Sequence, residues 1–156
     1  MKRNFTILIG AIVMLFAVSS CQKLVQQSDV YEIEIDLISN ADGSAANAIY
    51  RELAGKIKST DAVLVYGEVD DDIWMALPAV YDGDTYTYAF DSNGNLLFEV
   101  AYNGYTWTQG ETMVYRIIIV PKTVLTEKKA EGVDHNNYNE VMRAYNLYEG
   151  NVIMKK

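Results

Sequence analysis

The stretch "VYEIEIDLI" (30–38) alternates Tyr31, Ile33, Ile35 and Leu37 with Glu32, Glu34 and Asp36. Side chains two apart share a face of an extended chain, so this spacing predicts a strand with one apolar and one wet face. "AVLVYGEV" (62–69) is more continuously apolar and β-branched, the pattern of a strand covered on both faces. "TYTYAFD" (85–91) and "NLLFEVAY" (95–102) flank Ser92-Asn93-Gly94, and Asn-Gly between two such runs is a strong hairpin signal. "MVYRIIIV" (113–120) ends at Pro121, which has no amide proton to continue a ladder. A shorter strand is predicted around "IWMALP" (73–78), with Trp74 expected behind Leu77-Pro78.

Two other segments carry helical spacing. "SAANAIYRELAGKIKS" (44–59) places Ala46, Ile49, Leu53 and Ile57 on one helical face behind a possible Ser44 cap. With period two, Ile49, Arg51 and Leu53 instead oppose Tyr50 and Glu52. Strand and helix both stay open here, the expectation being a strand at about 47–52 and a helical turn to about 58. In the tail, Tyr138, Val141, Met142, Tyr145 and Tyr148 recur at helical spacing. Asn137 with Glu140 resembles a capping box, and Gly150 sits where a helix stop belongs. Several short strands with regular turn signals predict a mainly β fold: an antiparallel β-sandwich of about seven strands with a short C-terminal α-helix.

The N-terminal region changes the picture. Lys2 and Arg3 precede 14 almost purely apolar residues, Phe5 to Val18, and then the small pair Ser19-Ser20. That is the layout of a secretory signal; a membrane span needs roughly 20 apolar residues. Next comes Cys21, the only cysteine, which can form no internal disulfide. A buried thiol, an intermolecular bridge and a lipid attachment site compete for it. Val18-Ser19-Ser20-Cys21 resembles the lipobox of bacterial lipoproteins, which implies an acylated Cys21 as first residue of the mature chain and a membrane anchor. The expected organisation is a signal peptide (1–20), a lipidated tether (21–29) and a single β-sandwich domain (30–156).

From Cys21 onward 136 residues carry 11 basic against 21 acidic side chains, a formal charge of −10. This balance argues against nucleic acid as a partner, because phosphate backbones reward clustered Lys and Arg.

The order of the pieces adds a resemblance. "DAVLVYGEV", "DDIWMALPAVY", the "YTYAFDSNGNLLFEVAY" hairpin, "YRIIIVP" and "NYNEVMRAYNL" resemble a group of small Bacteroidota lipoproteins. Those carry a lipobox, a V-x-V-Y strand, W-x-x-L-P, a hairpin, an I-x-I/V-P strand and a closing Y-x-x-V helix. The resemblance spans roughly residues 30–148 and implies a cell-envelope address and this fold. It implies no catalytic residue, since the group has no established molecular function. Asp61 stands where glycine is common in that group. Gln22-Lys23 partly resembles a surface-export signal, but Leu24 and Val25 follow in place of acidic residues.

Candidate chemistry is sparse. "DSNGN" (91–95) sets Asp91, Asn93 and Asn95 at alternate positions, but Leu96 and Tyr102 stand where an EF-hand needs Gly and Glu. A hairpin turn is the expectation, with no metal and no cofactor. "EVDDD" (68–72) and "DGD" (82–84) can gather carboxylates at one end of the sheet, for calcium or glycoside hydrolysis, or serve as solvated turns. His135, the only histidine, reads as a solvated loop residue. The aromatics remain, twelve tyrosines and two tryptophans. Tyr105 and Trp107, in the Gly-flanked "YNGYTWTQGE", are the candidate ligand-binding residues, because exposed rings stack on sugars or peptides. The expected function is a lipid-anchored lipoprotein of the Gram-negative envelope, outer membrane, periplasmic or surface-facing. It acts as a non-enzymatic binding or structural module for a protein or glycan; the alternative is a small glycan hydrolase using the acidic loops.

Overall fold

A computed structural model of the chain describes residues 28–104, 106, 111–147 and 152–155. The expected signal segment and most of the expected tether, Cys21 included, lie outside them. The strands are β1 (Asp29–Ser39), β2 (Ala45–Tyr50), β3 (Asp61–Asp70), β4 (Ile73–Ala76), β5 (Ala79–Tyr81), β6 (Asp84–Phe90), β7 (Leu96–Ala101), β8 (Glu111–Pro121) and β9 (Val152–Lys155). They form one sheet in the order β4-β3-β8-β1-β2-β7-β6-β5, with β9 beside β1. Every pairing is antiparallel except that of β9 with β1. Helices α1 (Lys122–Ala130) and α2 (Tyr138–Ala144) follow β8. The mainly antiparallel β fold with a C-terminal helix is therefore as the pattern predicts.

The sheet folds over at β1. One edge of β1 pairs with β8 from Asp29 to Leu37. Its other edge pairs with β9 at Val30–Ile33 and with β2 only at Ile38 and Ser39. The two halves that share β1 face each other, and their inward side chains form one core containing Ile33, Leu37, Val65, Leu96, Phe98 and Ile117. Phe98 of β7 stacks on Tyr115 of β8 across this interior, with ring centroids 4.1 Å apart. Those strands are three places apart in the sheet, so their contact is face to face.

A second core lies on the outer face of β3 and β8, where Tyr66, Ile118 and Val120 pack against Tyr138, Val141 and Met142. The two-sided burial expected of 62–69 is present: Val65 points inward and Tyr66 under the helices. The wet face expected of β1 is wet only in part, because Val30 is buried in the second core and Glu32 is half-buried.

Segment 44–59 resolves as strand β2 followed by turns. Ala46 and Ala48 fill the interior opposite Val100 and Phe98, while Ile49 faces outward, 43% exposed. Leu53 then turns back into the core. The tail helix starts as predicted, the Asn137 side chain accepting the Glu140 N–H at 3.1 Å. The Glu140 carboxylate reaches the Asp134 N–H (3.2 Å). The helix stops at Ala144, short of Gly150. Asn146 takes φ 55° and the Leu147 N–H bonds the Met142 carbonyl at 2.8 Å, closing the last turn.

Antiparallel alternation gives the domain two ends. At the tether end lie Asp29, the 51–60 turns, the 91–95 hairpin turn and Pro121. At the far end lie the 40–44, 71–72 and 82–83 turns and the connection from β7 to β8.

Phe98→Ala should destabilise the domain by about 3–5 kcal/mol in urea unfolding, because it empties a fully buried aromatic site. Ile38→Ala, at a position 72% exposed, should stay within about 0.5 kcal/mol.

Candidate functional site

β7 ends and β8 begins at the far end, and hydrogen bonds hold the base of the connection between them. The Tyr102 N–H donates to the Ser44 carbonyl at 2.9 Å. The Asn103 N–H donates to Asp84 Oδ1 at 2.9 Å. The Tyr102 hydroxyl donates to Glu111 Oε2 at 3.2 Å, so the two stems of the connection touch. Asp84 is only 6% exposed, and a buried carboxylate that accepts a backbone N–H fixes that backbone in place. Gly83 makes the approach possible: its φ is +90°, and an added Cβ would lie 2.8 Å from Asn103 Nδ2. Tyr105 and Trp107, the predicted ligand-binding residues, fall outside the described residues, as does Cys21. The anchoring role of Asp84 carried no sequence signal beyond its place in an acidic turn.

The acidic loops do converge at this end. The Tyr81 hydroxyl bonds Asp70 Oδ2 at 3.4 Å, tying the β3–β4 turn to the β5–β6 turn. The charge of Asp70 pushes the Tyr81 phenol up, with smaller contributions from desolvation, the hydrogen bond and Asp82. Among the described residues, no three His, Cys, Asp or Glu side chains are placed to hold a metal ion.

The "DSNGN" segment forms the β6–β7 turn. Asp91 Oδ1 accepts the N–H groups of Asn93 (2.8 Å) and Asn95 (2.9 Å), and Oδ2 accepts Asn95 Nδ2 (2.7 Å). The backbone bond from Asn95, then its side-chain bond, hold the carboxyl below the usual range. Asp42 is lowered in the same way, first by the Ser44 hydroxyl and then by its N–H. A general acid at neutral pH needs the opposite shift.

His135 is not a solvated loop residue. Its ring is half-buried, with Nε2 2.8 Å from the Tyr145 hydroxyl, while its carbonyl accepts the Tyr66 hydroxyl at 2.7 Å. Burial, then the charge of Glu131, push the Tyr145 phenol up to about 12. These bonds fasten the α1–α2 connection to the sheet.

The most tightly built polar cluster surrounds Arg116, the one charge within the apolar run of β8. Its Nε bonds Glu32 Oε2 at 2.6 Å, and another guanidinium nitrogen bonds the Tyr138 hydroxyl. The guanidinium lies 4.3 Å from the Trp74 ring centroid and 5.2 Å from that of Tyr138. Burial opposes the charge, but the bonds to Glu32 and Tyr138 outweigh it and hold Arg116 protonated more firmly than usual. Trp74 thus lies in the outer core, whereas Leu77 points into the interior, so the expected Trp74–Leu77-Pro78 packing is corrected. The lone Arg in "VYRIIIVP" was the available signal for this cluster.

At the tether end, a cavity of about 460 Å³ opens between Asp29, Lys56, Lys58, Thr60 and Pro121. Among the described residues, no helix is long and apolar enough to cross a membrane. No protein-family model, no curated protein and no solved structure matches the chain.

Asp84→Ala should cost about 1–3 kcal/mol, because it removes a buried carboxylate that holds the Asn103 N–H. It should also speed amide exchange at Asn103 in NMR measurements. Asp71→Ala, at an exposed turn position, should leave both unchanged.

Proposed function

We propose that this chain is a lipid-anchored lipoprotein of the Gram-negative cell envelope, acylated at Cys21 and acting as a non-enzymatic binding or structural module for a protein or glycan. The observation that carries the binding role is the braced base of the β7–β8 connection. Asp84, Ser44 and Glu111 pin Tyr102 and Asn103 immediately before the segment that bears Tyr105 and Trp107. Binding groups on a loop gain affinity when a rigid scaffold holds its stems, because less conformational freedom is lost on binding. The anchor rests on the lipobox pattern at 18–21 and on the resemblance to small Bacteroidota lipoproteins. That same resemblance supports an outer-membrane address, facing the periplasm or the surface. The hydrolase alternative draws on the converging acidic loops. It is the weaker reading, because Asp84, the buried carboxylate of those loops, already accepts the Asn103 N–H.

Cys21→Ser should move the protein from the membrane to the soluble fraction, or leave its signal uncleaved. Mass spectrometry of the wild-type N-terminal peptide should find an acylated cysteine, and an unmodified thiol would refute the anchor. Trp107→Ala should change stability by no more than about 1 kcal/mol, as surface substitutions do. In a Trp74→Phe background its emission should be red-shifted and should move on adding envelope glycan or protein fractions. A blue-shifted signal with a loss of several kcal/mol would assign Trp107 to the core and refute the binding role.

A further inference from the structure

The two ends of the domain differ sharply in charge. At the far end, segments 36–44 and 68–84 together with Glu111 carry nine acidic residues and no basic one. The tether end holds Arg51, Lys56, Lys58 and Lys122 against Asp29, Glu52, Asp61 and Asp91, a formal charge of zero. That these groups share an end follows from the pairings Asp29↔Ile119, Asp61↔Pro121 and Tyr50↔Leu96↔Phe90. The cavities confirm it: one joins Asp29, Lys56 and Lys58 to Pro121, and another joins Gly55 and Asp61 to Phe90 and Gly94.

From this asymmetry we infer that the domain stands upright on an anionic bilayer, with the 51–61, 91–95 and 121–122 surface toward the headgroups and the acidic end away from them. The inference rests on the anchor at Cys21. Two constraints give the orientation. Eight residues, 21–28, separate the domain from the bilayer and span at most about 28 Å when fully extended. Turning the acidic end onto the membrane would lift Asp29 by the length of β1, 11 residues or about 37 Å. The tether is too short for that inversion, so upright and sideways poses remain. Charge decides between them. Screening reduces surface fields over about 8 Å at physiological ionic strength. An upright domain therefore carries its nine far-end carboxylates several screening lengths away from the headgroups. A sideways one brings part of that charge against a like-charged surface. The tether end, with its four cations, meets the anionic surface without net repulsion.

The test uses the full acylated chain reconstituted in phosphatidylethanolamine–phosphatidylglycerol vesicles that contain a headgroup-attached quencher. A fluorophore is placed on Asn93→Cys at the tether end or on Asp71→Cys at the far end. Quenching at position 93 should exceed that at position 71 by at least threefold. The ratio should fall in zwitterionic vesicles, in high salt, and in Lys56→Glu/Lys58→Glu, with the protein still vesicle-bound in each case. Equal quenching at both positions overturns the orientation, and so does a ratio indifferent to lipid charge, salt and the double reversal. A chain that stays in solution with a free Cys21 thiol overturns the anchor instead, and the orientation falls with it.

Discussion

A strand buried on both faces must serve two cores with alternate residues, and β8 does so from Tyr115 to Val120. Tyr115, Ile117 and Ile119 point into the interior, while Ile118 and Val120 lie under the helices. Each such side chain contributes about 1.5–3 kcal/mol of burial. β3 and β1 serve both cores too, through Val65 with Tyr66 and Ile33 with Val30, but over fewer residues. β8 lies between them, although β1 and β3 precede it in the chain. The rest follows from that placement. β1 must fold the sheet over to cover the inner row, and the chain after Pro121 must return across the outer one.

Arg116 interrupts the outer row, and its presence narrows how α2 can lie. Removing a guanidinium from water costs several kcal/mol unless its protons find partners. Glu32 supplies one from the neighbouring strand, the Tyr138 hydroxyl supplies another from the helix, and the Trp74 and Tyr138 ring faces cover the rest. Shifting α2 by one residue would take Tyr138 away and leave a buried charge short of a partner. The apolar contacts of Val141 and Met142 would tolerate such a slip far better, so the polar cluster sets the register while the apolar surface supplies most of the stabilisation.

What could be read from the sequence follows the range of the forces involved. Period-two alternation in 30–38 and the Asn93-Gly94 turn are local, and both strands and hairpin stand where they were predicted. Segment 44–59 stayed open between strand and helix because Ala46, Ile49, Leu53 and Ile57 fit a helix by spacing; the pairing of β2 with β7 decides for the favoured strand, and turns follow it in place of a helical turn. Helix α1 buries no residue completely and presents no strong apolar stripe, so no local pattern marks it in the sequence. Gly150 was the more obvious helix stop, but Asn146 reaches the left-handed conformation first. At the site, the acidic turns were visible as composition. The Asp84–Asn103 bond joins residues 19 apart and needed the fold to bring them together.

The acidic turns also show how this chain manages a surplus of carboxylates without local cations. From Ser59 to Tyr115 there is no Lys, Arg or His, and there are ten acidic residues. Ion pairing within that stretch is therefore impossible, and the turns use carboxylates as acceptors for backbone N–H groups instead. Asp91 takes two and Asp84 takes one, while Asp42 outside the stretch takes another. The sign of the linkage follows. Asp42 and Asp91 have folded-state values below their ordinary ones, so their contribution is complete above the usual carboxylate range. It fades as the pH falls through the lowered folded values. Because the Asp42 and Asp91 bonds each close their own turn, protonation of either loosens that turn alone.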